Sequence, residues 1–316
     1  VDNLTLAVNK VYEGDCLEVA QQIEAGSVDL ILTDPPYGKM NGYNGIDWDF
    51  VIKPADLFKV ANRILRQNGK LVLFSQEPYT SRLITEAHPN LPFSYKMIWE
   101  KDHFANNLLA NKAPVSFFED ILVFSKKYDT ENRHPLREYF ARVHEFIGLT
   151  KKAIIDEIGQ RADHVFRTNS TQFALCTEET YNALIDKFGI DRMEGFKTYE
   201  ELQEIDRKYK RKYRSVFNLW GEGDKYKSNI LRYKKDYDGY HPTQKPVALL
   251  EDLIKTYSNE GDLVVDLTCG SGSTCVAAIN TNRRFVGIER ELKYVKIANK
   301  RIEEALQARS RSAVIG

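Results

Sequence analysis

The chain reads as an α/β protein: a seven-stranded, mostly parallel, doubly wound sheet interrupted by a mainly helical insert. Three observations predict this: short apolar runs, helix-length stretches alternating with them, and a middle third where the alternation stops. Strands are expected at about 11–15, 28–33, 70–75, 95–100, 119–125, 262–266 and 284–288. Val28-Asp29-Leu30-Ile31-Leu32 and Leu263-Val264-Val265 are nearly continuous apolar runs, as strands covered on both faces require. Helices are expected at 54–68, 78–87, 245–258, 273–281 and 291–308. In the last of these, Val295, Ala298, Ile302 and Ala305 form one apolar stripe, with Lys293, Lys296, Lys300 and Glu304 on the other side.

From about Tyr128 to Asp236 the strand rhythm disappears and the composition turns polar. Helical stretches at 136–148, 150–158, 177–188 and 198–214 fill this region. The expected organisation is one domain built from residues 1–130 and 236–316, with 131–235 inserted between its halves.

With 42% hydrophobic and 28% charged residues, and no apolar run of membrane-spanning length, the composition is that of a soluble globular protein. Val1 to Lys10 shows no basic patch followed by an apolar core, so a cytoplasmic location is the default expectation. Lys and Arg number 45, as do Asp and Glu, so any nucleic-acid site must come from local clustering of cations. Cys16, Cys176, Cys269 and Cys275 lack paired spacing and nearby histidines, which argues for reduced thiols and no metal site.

Two loops carry the chemistry. Thr33-Asp34-Pro35-Pro36-Tyr37-Gly38 follows the strand 28–32, at the strand end where open parallel sheets gather ligand groups. The two prolines fix the backbone and remove two donors. The Asp34 carboxylate and the Pro35 carbonyl could then accept both hydrogens of an amino group, with Tyr37 stacking on a ring. Asp-Pro and Pro-Pro alone would read only as a turn; it is the tetrapeptide after a buried strand that argues for a site.

The second loop, Asp266 to Thr274, contains Gly270 and Gly272 and joins a strand to a helix. Its glycines permit close approach of a ligand, and Glu289 at the end of the next strand can accept from ribose hydroxyls. A nicotinamide dehydrogenase would use similar parts. It would also need three glycines in fixed spacing and more chain than the 50 residues that follow Asp266.

These residues resemble the beta group of DNA amino-methyltransferases, in which the catalytic loop precedes the cofactor loop and a target-recognition insert separates them. Asp34-Pro35-Pro36-Tyr37 matches the catalytic motif, and His241-Pro242-Thr243-Gln244-Lys245-Pro246 matches the motif flanking the cofactor. Gly14-Asp15-Cys16, Glu119 to Lys126 and Arg284 to Glu289 are further landmarks. The resemblance covers about 200 residues at the two ends and implies a Rossmann-like methyltransferase fold. One departure is Leu267-Thr268, where similar proteins carry Pro-Phe; this removes an expected aromatic contact with the cofactor.

The resemblance further implies S-adenosylmethionine as methyl donor and double-stranded DNA as substrate. Asp266, Gly270, Ser271, Gly272, Ser273 and Thr274 would line the methionine part of the cofactor, and Glu289 would hold its ribose. Asp15 and Cys16 would lie near its adenine, with His241, Thr243 and Lys245 closing the pocket. Lys245 reads otherwise as a lysine exposed at a helix start, and Cys16 and Cys269 as small buried filler. The amine would be flipped out of the duplex, with adenine N6 expected over cytosine N4. A homodimer and a cognate restriction endonuclease are candidate partners.

Within the insert, 138–147 and 151–158, joined at Gly148-Leu149-Thr150, read as a helix-turn-helix pair or as two helices packed without DNA contact. Lys151 and Lys152 would face DNA in the first case. The run 207–214 holds six basic residues with two tyrosines interleaved; Lys208, Arg211 and Lys212 read as phosphate contacts or as a solvated face. Asn41, Asn44 and Trp48 read as a lid over the base or as plain loop. Other readings of the whole chain are an RNA or protein amide methyltransferase, and a DNA-binding subunit without catalysis.

Overall fold

A computed structural model of the chain describes residues 6–37, 51–105, 110–131, 134–220, 225–236, 240 and 244–315. Asn41, Asn44, Trp48, His241 and Thr243 lie outside them. Two compact units emerge: Val1–Lys127 with Ser215–Gly316, and Tyr128–Arg214.

In the first unit the chain runs β1 (Lys10–Glu13), α1 (Cys16–Val19), β2 (Val28–Thr33), α2 (Pro54–Ile64), β3 (Leu65–Ser75), α3 (Tyr79–Thr85), β4 (Phe93–Ala105) and β5 (Ser116–Ser125). The second unit holds α4 (Leu136–Ile147), α5 (Lys151–Ile158), α6 (Glu178–Phe188) and α7 (Tyr199–Lys212). The chain then completes the first unit with β6 (Ile230–Arg232), α8 (Val247–Tyr257), β7 (Leu263–Asp266), α9 (Ser273–Asn280), β8 (Arg284–Glu289) and α10 (Leu292–Ile315).

The described strands form one sheet of eight in the order β1-β8-β7-β2-β3-β5-β4-β6. Pairing is parallel except where β5 lies between β3 and β4. Alternation along the strands supplies two cores. Ile31, Leu71, Leu73, Val265 and Ile288 pack on one side with Leu57, Phe58 and Ile64 of α2. Leu30, Leu32, Val72, Phe74 and Val264 pack on the other with Leu253 of α8, Ala277 of α9 and Ile302 of α10. Both faces are covered at the centre of the sheet, so β2 and β7 are buried along nearly their whole length.

Three expectations are corrected. The sheet has an eighth strand: β6 pairs with β4 through Ile98↔Ile230 and Trp99↔Leu231. Residues 215–235 therefore belong with the sheet, and the separate unit is the shorter Tyr128–Arg214. The helix expected at 54–68 stops at Ile64, because the buried Lys126 ammonium takes the carbonyls of Asn62 (2.6 Å) and Leu65 (2.7 Å). Such a cation relieves the unpaired carbonyls of a helix end, and the chain enters β3 at Leu65.

The second unit has its own core, centred on Phe140, Val143, Ile154, Tyr181, Leu184 and Leu202. Its helix ends carry the signals that define them. Gly148 closes α4 in the left-handed region at φ 68°, and Thr150 caps α5 by accepting from Ala153 N. Thr198 and Glu201 form a reciprocal capping box on α7. Among the described residues no helix is long and apolar enough to cross a membrane.

Candidate active site

β2 and β7 are neighbours at the point where the strand order reverses, paired through Leu30↔Val264 and Ile31↔Val265. Their carboxyl ends therefore open side by side, although 232 residues separate Asp34 from Asp266. The two loops line one cleft of about 400 Å3. Asp15, Cys16, Asp34, Pro35, Pro36, Tyr37, Lys245, Asp266, Gly270, Ser271, Ser273, Thr274 and Glu289 all line it.

Hydrogen bonds join the two loops. Thr33 Oγ1 donates to Asp266 Oδ1 at 2.8 Å, and Thr268 N donates to the same oxygen at 3.1 Å. The Thr268 hydroxyl donates to the Asp34 carbonyl at 3.0 Å, with its oxygen 2.8 Å from Thr33 Oγ1. The departure at Leu267-Thr268 thus has a role of its own. Leu267 is buried in the core, and Thr268 supplies a loop-to-loop bond that a phenylalanine could not make.

Asp34 is held at both oxygens. The Tyr37 hydroxyl donates to Oδ1 and the Lys245 ammonium to Oδ2, while 22% of the Asp34 side chain stays open to the cleft. Lys245 is not the exposed lysine of the alternative reading, since only 7% of its side chain is accessible. Its ammonium lies 3.3 Å from Glu119 Oε2, and Lys101 Nζ donates to Glu119 Oε1 at 2.9 Å. The result is a buried alternation of charge: Asp34, Lys245, Glu119, Lys101. Burial pushes the Asp34 carboxyl above its ordinary value against the pull of Lys245. For Glu119, burial is outweighed by Lys245 and Lys101, which hold its carboxyl below the usual range.

Sequence reasoning placed Glu119 in a strand but missed its part in the site. It reaches the cleft because β5 is antiparallel to β3, with Asp120 opposite Ser75, so its beginning lies beside the carboxyl end of β3. A rule that inspects only strand ends overlooks it. Gln244 was missed too. It lines the cleft and is 6% exposed, and among the described residues neither its amide oxygen nor its nitrogen has a hydrogen-bond partner. A buried amide left unpaired costs about 1–3 kcal/mol, so the cleft has a polar position for a ligand to satisfy.

On the other wall, Glu289 accepts from Gly270 N and Glu291 N, both at 2.8 Å, which fixes its orientation. Burial raises its carboxyl, and it pushes Asp266 up to about 6. Asp15 caps α1 by accepting from Leu17 N at 2.8 Å. Burial pushes the Cys16 thiol up to about 12, so it serves as apolar lining. Arg301 braces the glycine loop, donating to the Ser271 carbonyl at 2.8 Å and to Ser273 Oγ at 3.0 Å. Gly272 does not line the cleft. It has φ +80°, and a Cβ there would sit 2.9 Å from Ala298 Cβ, so close packing of α9 on α10 requires the glycine.

In the second unit, Lys151 is paired with Asp163 at 2.6 Å, while Lys152 is exposed. Along α7, Arg207 and Lys208 pair with Glu204 and Lys210 with Asp206. Arg211 and Lys212 lie exposed on the last turn. The interleaved tyrosines do not face outward together: Tyr209 is 9% exposed and packs on His134 and Tyr213.

The family model for N6/N4 enzymes, described as DNA methylase, matches residues 28–300. The chain belongs to this DNA methylase family. An Escherichia coli (strain K12) protein named DNA adenine methyltransferase YhdJ is 27% identical over 308 residues, covering 93% of this chain and 83% of that one. Two solved structures share the fold. The M1.HpyAVI-SAM complex superposes with a TM-score of 0.51 at 20% identity, covering 93% of this methylase and 98% of that chain. PvuII DNA methyltransferase, titled cytosine-N4-specific, gives 0.52 at 16% identity, covering 98% and 94%.

Proposed function

We propose that this methylase transfers a methyl group from S-adenosylmethionine to N6 of an adenine flipped out of double-stranded DNA. The observation that carries the reading is the loop from Asp34 to Tyr37, opening into the cleft that the glycine loop shares. The Asp34 carboxylate keeps an open face, and among the described residues no hydrogen bond is made to the Pro35 carbonyl. These two acceptors suit the two hydrogens of an exocyclic amine. The name of the Escherichia coli relative supports adenine.

The cleft fits the methyl donor. Glu289, oriented by two backbone N–H groups, presents a carboxylate for ribose hydroxyls, and Cys16 and Leu17 offer apolar lining for a purine. Gln244 offers a donor and an acceptor with no protein partner. When bound, S-adenosylmethionine supplies an electrophilic methyl group on a positively charged sulfur.

The rest of the chemistry falls to the protein. Accepting both amino hydrogens at Asp34 and Pro35 favours a pyramidal nitrogen and stabilises the positive charge that grows on it. Tyr37 orients the carboxylate through Oδ1 and offers its ring to the base. Binding both reactants in one cleft converts an encounter into a positioned reaction. Arg211, Lys212 and Lys152 are proposed as phosphate contacts in the second unit.

Asp34→Ala should retain cofactor binding in a titration and lose methyl transfer by about a thousandfold or more, the scale of removing an oriented acceptor from a transition state. Full activity in that variant would overturn the catalytic assignment. Digesting the modified DNA to nucleosides should yield N6-methyladenine; N4-methylcytosine alone would overturn the choice of base.

A further inference from the structure

We propose that Lys245, suspended between Asp34 and Glu119, is a positioning residue for methyl transfer, holding the Asp34 carboxylate ionised and aimed at the target amine. The inference rests on the reading of Asp34 as the acceptor of that amine, and it gives Lys245 a role apart from the cofactor.

Three observations converge. Lys245 comes from the segment before α8, yet its ammonium ends on the catalytic loop, bound to Asp34 Oδ2. Its side chain is 7% exposed and lies over the Phe74 ring at 5.0 Å, so its path is packed along its length. Glu119 on its far side is fixed in turn by Lys101 Nζ at 2.9 Å and Gln76 Nε2 at 3.2 Å. A buried lysine arranged this way is anchored from behind and directed at one oxygen.

The chemistry explains the need. A carboxylate accepts amino hydrogens at full strength only when ionised, and burial works against ionisation. The charged and titratable groups around Asp34 are Tyr37 of its own loop, Lys245 before α8, Glu119 of β5, Lys101 of β4 and Asp266 of β7. Of these, Lys245 is the cation in direct contact. Glu119 has two opposed effects: it repels charge on Asp34 and it anchors Lys245. With Tyr37 and Lys245 each occupying one oxygen, a carboxylate's further lone pairs remain for the base.

The test is the pH profile of kcat at saturating cofactor and DNA, from about pH 5 to about pH 9. Lys245→Met should move the acid limb up by about one to three pH units, the effect of removing a cation from a buried carboxylate. Activity on the acid side of the wild-type limb should then fall about ten- to a thousandfold and recover as the pH rises. Lys245→Arg keeps the charge and should leave the limb near its original place. Glu119→Gln removes the repelling charge and should move the limb the other way. Cofactor affinity, measured by direct titration, should change less than about twofold in Lys245→Met, because the ammonium is committed to Asp34. A uniform loss of kcat with the limb unmoved would overturn the proposal, as would loss of cofactor affinity with the limb in place. If Lys245→Met fails to fold, Lys245→Gln decides, and an unmoved limb there overturns it. Asp34→Ala separates the two levels of inference. If it stays active the catalytic reading itself falls; if it is inactive while Lys245→Met keeps the wild-type profile, only the role of Lys245 falls.

Discussion

Lys245 in the cleft and Lys208 on α7 are both lysines beside an acid, and they differ in nearly everything that gives an ion pair its value. Lys208 is 75% exposed and lies 3.5 Å from Glu204, which is itself 39% exposed. Water screens such a pair to about 0–1 kcal/mol. Lys245 and Glu119 are 7% and 8% exposed, and removing one partner of a buried pair leaves an uncompensated charge, at about 3–5 kcal/mol. In the sequence the order of prominence is reversed: 207–214 is a dense basic run, whereas Lys245 is one cation among prolines and apolar residues. Clustering shows where charge meets solvent, and isolation within a packed strand-and-helix region shows where a charge must have a partner.

Three experiments sharpen this contrast between the cleft and the second unit. The largest effect is expected at the glycine loop's helix start. Gly272→Val places a branched side chain at φ +80° and within 2.9 Å of Ala298 Cβ, which should lower unfolding stability by about 3–5 kcal/mol. Denaturant titration measures it, and a change below about 1 kcal/mol would show that α9 can slide on α10.

Next comes Asp266, whose carboxyl burial pushes up to about 6 from its ordinary value of 3.8. The folded state then holds its proton more tightly than the unfolded state, so this group favours folding at low pH, and its contribution declines as pH rises between those two values. Above about pH 6 the full cost is present. Asp266→Asn should therefore raise stability at pH 8 by up to about 3 kcal/mol and by little near pH 4, while weakening cofactor binding. Equal stabilisation at both pH values would show that the carboxylate is not penalised by burial.

The smallest effect is expected on α7. Arg211→Ala with Lys212→Ala should flatten the salt dependence of DNA binding by about 1.8, at about 0.9 for each phosphate released, without changing the methylated sequence. An unchanged slope in the double variant would leave α7 as a solvated face.

How much was legible in advance follows from the range of the forces involved. The strands at 28–33 and 284–288, the glycine loop and the helices of the second unit were readable because their signals are local: apolar runs, Gly148 at a helix end, Thr150 and Thr198 at helix starts. The end of α2 at Ile64 was not, since Lys126, 61 residues from Leu65, supplies the ammonium that replaces its next turn. β6 was hidden because three residues, Ile230–Arg232, make a strand only against β4. Within the site, the lining residues on the two loops were readable from their motifs. The partners Glu119 and Lys101 were not, because two antiparallel strands bring them in.

Thr268 gives the two loops a common mechanical fate. Its amide holds Asp266 on the side proposed for the cofactor, and its hydroxyl holds the Asp34 carbonyl on the side proposed for the base. A ligand that draws one loop into place therefore acts on the other through Thr268, beside the direct bond from Thr33 to Asp266. Thermodynamics makes such an influence mutual: whatever factor the cofactor adds to affinity for the flipped base, the base returns to the cofactor. Thr268→Val removes the hydroxyl but keeps the amide, and so cuts the link on one side only. The free energy of cooperativity between the two ligands, measured with and without that hydroxyl, is the quantity this bond controls.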